Sequence, residues 1–507
     1  MNSIWRIIVL MFLPPALLWS VFACTTGDVD HLILNDDHQA DDDVADDDQI
    51  DDDAEDDDSI DDEPDDDTAD DDTADDDTAD DDSADDDSID DDCEDDDSVI
   101  DDDTSADDDS GADDDSGIDD DSSGPEEGTV RVFAMQLKQK LEDCGEAENY
   151  FDKILSLFQQ FEFSQKYANL VIFPEYSAFT CSFSGSRGDL ARQAQNSILA
   201  FGILGVSYAP QIGYYLIHYP GISIQRALFL SLTDAIWRPF HETFSAMASQ
   251  NQVYILATTV VADAQVSDDP GDINFFGDPG HPDRPYVYLP AGPDVYNQSV
   301  LYGPDGEIQA RWRKVHLLAD LEQNLLDLTP GDVNDLAAFP LYGAEIGVAI
   351  CLDVWFDDVL NRLQESGATL LLVPSANSAM WASYNGGAVW EAEGWTTGIY
   401  DVVANQSKFL YGVNSMLTGN LFEIPFDGQS GIITSEGTLN NTGYVGTVYG
   451  PGFLSLAPWV IDDPCQGSPN ETCRAVLEDQ AQLLLPGGAQ ENEYVEQFLW
   501  TELSFEK

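Results

Sequence analysis

Hydrophobic positions recur with two different periods along this chain. From Thr129 to Gln136 β-branched and aromatic side chains alternate with others, which predicts a strand, whereas Glu148 to Phe163 spaces its apolar residues as a helix does. Asn169 to Phe173 reads as a short buried strand. Further strands are predicted at Val253–Val261, Ile346–Ile350, Thr369–Val373 and Phe409–Val413. Ser299–Tyr302 and Glu307–Trp312 form a hairpin turned by Gly303-Pro-Asp-Gly306. Trp390–Val403 is predicted helical, and the Asp-, Gly- and Pro-rich stretch Asp263–Asp294 reads as a long surface loop. Strands and helices in this order imply an α/β layered domain.

Two stretches are apolar without either period. Ser197–Leu232 is interrupted by Pro210, Gly213, Pro220 and Gly221, so it reads as a core helix plus a substrate-covering insertion rather than a membrane span. Ile7–Ala23 follows a single positive charge, Arg6, and runs directly into Cys24, the pattern of an export signal. Val21-Phe-Ala-Cys24 is similar to a bacterial lipoprotein cleavage box. On that reading Cys24 carries a lipid and the protein is exported and tethered to a membrane of the cell envelope.

Charge divides the 507 residues into two unequal parts. Residues 1–128 hold 56 of the 101 Asp and Glu but one of the 18 Lys and Arg, a balance of -55, which leaves -28 for the rest. The first part is too charged to bury a core. From Asp36 to Asp121 it repeats units such as Thr68-Ala-Asp-Asp-Asp72, a solvated spacer that like charges extend. Weak calcium binding by its carboxylates is the second reading, although no Asp-x-Asp-x-Asp-Gly loop orders a site there. Neither part offers the basic face that nucleic acid requires. The implied organisation is a leader over 1–23, a spacer over 24–128, a folded domain over 129–437 and an extension over 438–507.

The chemistry concentrates in three motifs, each at the end of a predicted strand. Leu170-Val-Ile-Phe-Pro-Glu175 delivers a carboxylate, Arg311-Trp-Arg-Lys314-Val-His-Leu317 an ammonium, and Gly347-Val-Ala-Ile-Cys351-Leu-Asp353 a thiol. A thiol with an ordinary pKa of about 8.5 is mostly protonated at neutral pH, so Cys351 needs a base, and Glu175 can serve. Attack on an amide carbon builds charge on oxygen, which Lys314 and the backbone N–H of Leu352 would stabilise. Six scattered histidines show no ligand spacing, so no metal is indicated, and no cofactor loop is present in the sequence.

Together these motifs resemble the carbon-nitrogen hydrolase, or nitrilase, superfamily over roughly Thr129 to Gly437. Tyr302-Gly-Pro-Asp-Gly306, Thr329-Pro-Gly331, Leu372-Val-Pro-Ser375 and Phe426-Asp-Gly-Gln-Ser-Gly431 are lesser signatures. The resemblance implies a four-layer α-β-β-α sandwich and a catalytic set of Glu175 as base, Lys314 at the oxyanion and Cys351 as nucleophile. It adds a second glutamate eight positions after the lysine, here Glu322, whose other reading is a surface helix residue. It also implies a homodimer. The expected activity is hydrolysis of a small-molecule amide, at a carbon-nitrogen bond other than a peptide bond, through a thioester. An N-acyltransferase of the same superfamily and a catalytically silent binding lipoprotein are the alternatives. Asp357-Asp358 stands where many members continue Pro-Glu, and Ala404-Asn405 where a Glu-Asn pair is frequent. These departures look closer to the biotinidase and pantetheinase branch. Tyr176 and Trp381 are candidate pocket walls, with plain core packing as the competing reading.

Cysteine usage fits an exported protein. Cys465 and Cys473 bracket a loop short enough for a disulfide, Cys144 and Cys181 form a second candidate pair, and Cys93 has no evident partner.

Overall fold

A computed structural model of the chain describes residues 124–379, 384–385, 389–390, 395, 398–436, 452–457 and 471–505. The leader, the acidic tract, Cys24, Cys93, Trp381 and Cys465 lie outside the described residues, as does the side chain of Cys473.

Period two in the sequence becomes two stacked sheets. β1 (Glu126–Lys138), β2 (Tyr167–Ile172), β3 (Tyr254–Ser267), β4 (Val287–Tyr302) and β5 (Ile308–Arg313) line up in that order. β1 to β3 run parallel, and β4 and β5 return antiparallel. β6 (Phe339–Leu341), β7 (Ala344–Val348) and β8 (Leu370–Ser375) belong to the second sheet, while β9 (Tyr384–Asn385) and β10 (Val389–Trp390) pair only with each other. β11 (Tyr411–Leu421) lies parallel to β8 and is flanked by β12 (Ile424–Phe426) and β13 (Gly431–Thr434), the latter paired with β14 (Phe453–Leu456). The sheets meet at one corner, where Leu137 and Lys138 of β1 pair with Leu417 and Thr418 of β11.

Alternation sends each face of the first sheet to a different core. Val130, Val132 and Ala134 of β1, with Leu170 and Ile172 of β2, enter the core that includes Ile346, Val348, Leu370 and Leu372 of the second sheet. Phe133, Met135, Val171 and Phe173 point the other way, into a core shared with the helices α1 (Ala147–Phe158) and, later in the chain, Thr233–Asn251. On the far side of the second sheet, Leu363 of the helix Asp357–Glu365 and Ala368 lie where a Cβ on Gly347 would sit, so that glycine lets the helix approach. Helix, sheet, sheet and helix give the expected four layers.

Several expectations are corrected. α1 stops at Phe158, short of Phe163. Phe161 and Phe163 leave the helix to join a ring cluster with Phe133, Phe158 and Phe498, so their apolar spacing reflects a shared destination rather than one helix face. The stretch Asp263–Asp294 is not a long loop. β3 and β4 remain paired from Ala264–Pro290 out to Ser267–Val287, and Asp269 caps a short helix, Pro270–Phe276. Backbone pairing is indifferent to the polar side chains that suggested a loop, and Asp-Pro is a helix start as well as a turn signal. Val389 and Trp390 belong to a strand pair. Within the predicted helix Trp390–Val403, the helical residues among those described are Trp395, 398–400 and the wide turn Asp401–Asn405. Their β-branched and aromatic character suits a strand.

After α1, the insertion folds as α2 (Gly185–Arg192), α3 (Ser197–Ser207), α4 (Ala209–His218) and α5 (Ile224–Ser231), leading into α6 (Thr233–Asn251). Among the described residues no helix is long and apolar enough to cross a membrane. Cys144 and Cys181 form a disulfide that ties the entry of α1 to the segment after Glu175. At the far end of the chain, Gln497–Ser504 adds an antiparallel strand beside β1, from Thr129–Ser504 to Gln136–Gln497.

Candidate active site

Glu175, Lys314 and Cys351 each follow a strand, and the sandwich brings the three ends together. β2 ends at Ile172 and Phe173-Pro174 carries the chain to Glu175. β5 ends at Arg313, directly before Lys314, and β7 leads through Ala349-Ile350 to Cys351. The backbone turns sharply at two of these ends. Tyr176 has φ 58° and Cys351 φ 53°, left-handed conformations that cost a side-chain-bearing residue about 1–3 kcal/mol and cluster where function fixes a side chain. All three polar groups are buried, at 0, 1 and 2 % exposure.

Lys314 sits between two carboxylates. Its Nζ is 2.8 Å from Glu175 Oε1 and 2.9 Å from Glu322 Oε2. Glu322 is therefore no surface residue: it is fully buried in the wide helical turn Ala319–Leu325. Asn297, on β4, donates its amide to both carboxylates, at 2.6 Å to Glu175 Oε1 and 2.7 Å to Glu322 Oε1. Tyr176 donates its hydroxyl to Glu322 at 2.8 Å, and the Leu318 N–H donates to Glu322 Oε2 at 2.8 Å. Tyr176 thus holds a site residue as well as packing on Phe179.

Counting acceptor positions separates the two glutamates. An ionised carboxylate offers about four lone-pair sites. Glu322 has four donors, from Lys314, Asn297, Tyr176 and Leu318, and none to spare. Glu175 has three, from Lys314, Asn297 and the Ala376 N–H at 3.0 Å. Its fourth site has no donor among the described hydrogen bonds, and the Cys351 thiol is close enough for the charge on Glu175 to act on its proton. The Ala376 peptide touches both partners, since its carbonyl is 3.8 Å from Cys351 Sγ. Lys314 likewise uses two of three N–H donors on carboxylates, leaving the third for another oxygen.

Burial dominates the proton equilibria here. It pushes the Cys351 thiol well above its ordinary value, and the charge on Glu175 adds to this more than Lys314 offsets it, so the resting sulfur is protonated. Burial also raises Glu175, against the attraction of Lys314. For Lys314, burial alone would lower the pKa, but the charges on Glu175 and Glu322 outweigh it and keep the ammonium charged. The resting arrangement is a neutral thiol beside a carboxylate already held by a permanent cation. It can pass one proton from sulfur to oxygen as the sulfur attacks.

Asp353 secures the geometry from behind. It accepts from the N–H groups of His316 at 2.8 Å and Val315 at 3.2 Å, joining the turn Cys351–Trp355 to the segment after Lys314. His316 stacks on Phe356 at 3.7 Å and bonds Asp358 at 2.9 Å, so the Asp357-Asp358 departure serves the same clamp.

A family profile described as carbon-nitrogen hydrolase matches residues 131–430, more than half of the chain. The chain belongs to the carbon-nitrogen hydrolase family. Shorter stretches are similar to individual members. A hydrolase from the pqqF 5' region of Pseudomonas protegens is 35% identical over 83 residues, 16% of this chain and 28% of that protein. The human omega-amidase NIT2 is 32% identical over 89 residues, 16% of this chain and 31% of that protein. The matched stretch therefore spans under a third of these curated relatives. Among solved structures, a carbon-nitrogen hydrolase from Helicobacter pylori G27 is 17% identical, with 61% of this chain and 83% of that chain covered and a TM-score of 0.38.

Against this family background, sequence reasoning missed Asn297, Ala376 and Asp353. Asp353 closes the Gly347–Asp353 motif and Ala376 directly follows Leu372-Val-Pro-Ser375, which is the signal that could have found their roles. Asn297 lies inside a long strand with no such marker. Leu352 stands in the turn after Cys351, its peptide next to the thiol. Away from this centre, Glu146, Asp278 and His281 place ligand atoms within 4.8 Å of one another. His281 bonds Glu146 at 2.9 Å and Asp278 bonds Ser186 and Gly280, so hydrogen bonds account for that cluster without an ion.

Proposed function

We propose that this carbon-nitrogen hydrolase is an exported, membrane-tethered amidase that cleaves a small-molecule amide through a thioester on Cys351. The observation that carries the reading is the single open acceptor position of Glu175, facing a protonated thiol while Lys314 keeps one N–H unused. Glu175 takes the thiol proton as sulfur attacks the amide carbon, and the carbonyl oxygen becomes an oxyanion held by the third N–H of Lys314 and the Leu352 N–H. Such donors are worth about 3 kcal/mol each. The tetrahedral adduct then collapses, and the departing nitrogen leaves as ammonia or an amine with the proton from Glu175. Water gives a proton to the same carboxylate and attacks the thioester, and the second collapse returns that proton to sulfur and frees the acid. Glu322, with every lone pair occupied, positions Lys314.

Amidase-type relatives and the family profile support the reaction class. Export and tethering rest on Ile7–Ala23 and Cys24. The test is amine release from a panel spanning simple amides, ω-amides and vitamin-conjugate amides. The wild type is expected to release amine from at least one class and Cys351→Ala from none. Equal rates for the two proteins would remove the mechanism. Loss of detergent partitioning in Cys24→Ser is the expected sign of the anchor.

A further inference from the structure

α3 breaks the usual rule for a surface helix. Ser197, Ala200 and Leu204 are buried on one side, yet the opposite side, with Ile198, Leu199, Gly202, Ile203 and Val206, is also apolar. A helix apolar all round is normally enclosed by protein or lipid. Here Val206 is 60 % exposed and Leu199 49 %, and the neighbouring α4 adds Ile217 at 82 % and Tyr214 at 42 %. Patches of this kind mark interaction surfaces.

Charge identifies the occupant. From Leu190 to Thr233 there is no Asp or Glu, in a chain that has 101 of them. For this face a second copy is a poorer cover than neutral lipid, because its residues 129–507 alone carry a net -28. Neutral lipid suits helices that carry no carboxylate of their own, the Glu423 carboxylate at the start of α3 being already bonded by the Ser197 N–H and hydroxyl. At its edge Tyr214 and His218 stack at 5.4 Å, amphipathic rings of the kind that settle at a membrane-water boundary. The anchor proposed at Cys24, on which this part of the inference rests, would bring the same surface within reach. A tether there would hold a bilayer at high effective concentration.

We propose that the exposed face of α3 and α4 docks on the surface of a neutral lipid bilayer, lying in the interface without spanning it. The face adjoins the reaction centre. Phe201 of α3 packs on Phe179, and Phe179 packs on Tyr176, which holds Glu322.

The test is photolabelling of the full chain on phosphatidylcholine and phosphatidylethanolamine vesicles carrying a diazirine lipid, mapped by peptide mass spectrometry. Labels are expected within residues 197–219. The double substitution Val206→Asp with Ile217→Asp should reduce them by about tenfold or more, with an unchanged circular dichroism spectrum. Val206→Leu with Ile217→Leu should keep them. If the aspartate pair fails to fold, Ile217→Asp alone, at the most exposed position, should still lower the labelling. Labels confined to the leader, or none, overturn the proposal. So does a chain that sediments as a dimer and becomes monomeric on the aspartate substitutions, because the face then serves self-association.

Discussion

Among the described residues two buried cations each stand between two carboxylates, and only one of them has a thiol in its cluster. Arg238 bonds Asp234 at 2.7 Å and Glu242 at 3.0 Å, all three on α6 and four residues apart, with Tyr286 and Tyr288 against the guanidinium. Lys314 bonds Glu175 and Glu322 from separate parts of the fold. The helical cluster opens to water through Glu242, whose side chain is 42 % exposed, and the group bonded to that carboxylate is the Tyr286 hydroxyl at 3.0 Å, not a thiol. The Lys314 cluster is closed, and Glu175 keeps one acceptor position without a described donor, with the Cys351 thiol beside the Ala376 peptide that bonds the same carboxylate. A charged triplet becomes reactive through the position it leaves open and the group that faces it, and burial alone does not confer this.

The largest effect should come from the group that faces the open position. Cys351→Ala is expected to lower amide hydrolysis by at least about 1000-fold with little change in fold, whereas removing any member of the Arg238 cluster leaves the rate near wild type. Next, Lys314→Met strands two buried carboxylates. It should cost about 3–5 kcal/mol in a urea melt along with the activity. Arg238→Met, whose partner Glu242 reaches solvent, should cost about 1–3 kcal/mol and spare catalysis. Similar losses of activity in both variants would erase the distinction.

A third prediction concerns Asp353, which burial lifts from 3.8 to about 6 against the pull of the His316 and Val315 N–H groups and of Lys314. Between those values the folded protein keeps a proton that the unfolded chain has lost. The stability from this group is thus complete below pH 3.8 and is lost as pH rises through 6, a change of about 3 kcal/mol. Wild type minus Asp353→Asn unfolding energies should fall across that window, and parallel curves would refute the assignment. The smallest effect is expected for Asn297→Leu, which removes a donor from ionised Glu175. The carboxyl should titrate higher, moving the acid limb of kcat/KM upward, and kcat should drop by about tenfold with KM nearly constant.

The sequence made Glu175, Lys314 and Cys351 legible because strand ends in an α/β sandwich converge, and a reactive side chain just after an apolar run is visible without coordinates. Glu322 was reachable only through its spacing from Lys314. Asn297 was not, since alternation in β4 says that a side chain points inward and nothing about the two carboxylates waiting there. The ribbon of β3 and β4 past Ala262 was hidden for a related reason: its stability lies in backbone pairing, which side-chain polarity does not report. The Cys144–Cys181 bond joins two segments whose proximity depends on where Glu175 and α1 sit, so spacing could name the pair but not choose it.

The most direct test of the central claim is rapid-quench mass spectrometry during a single turnover of an amide that the enzyme cleaves. An acyl mass on the peptide containing Cys351, appearing with the amine and decaying to acid, is the predicted result. Amine release with that peptide unmodified throughout would contradict it.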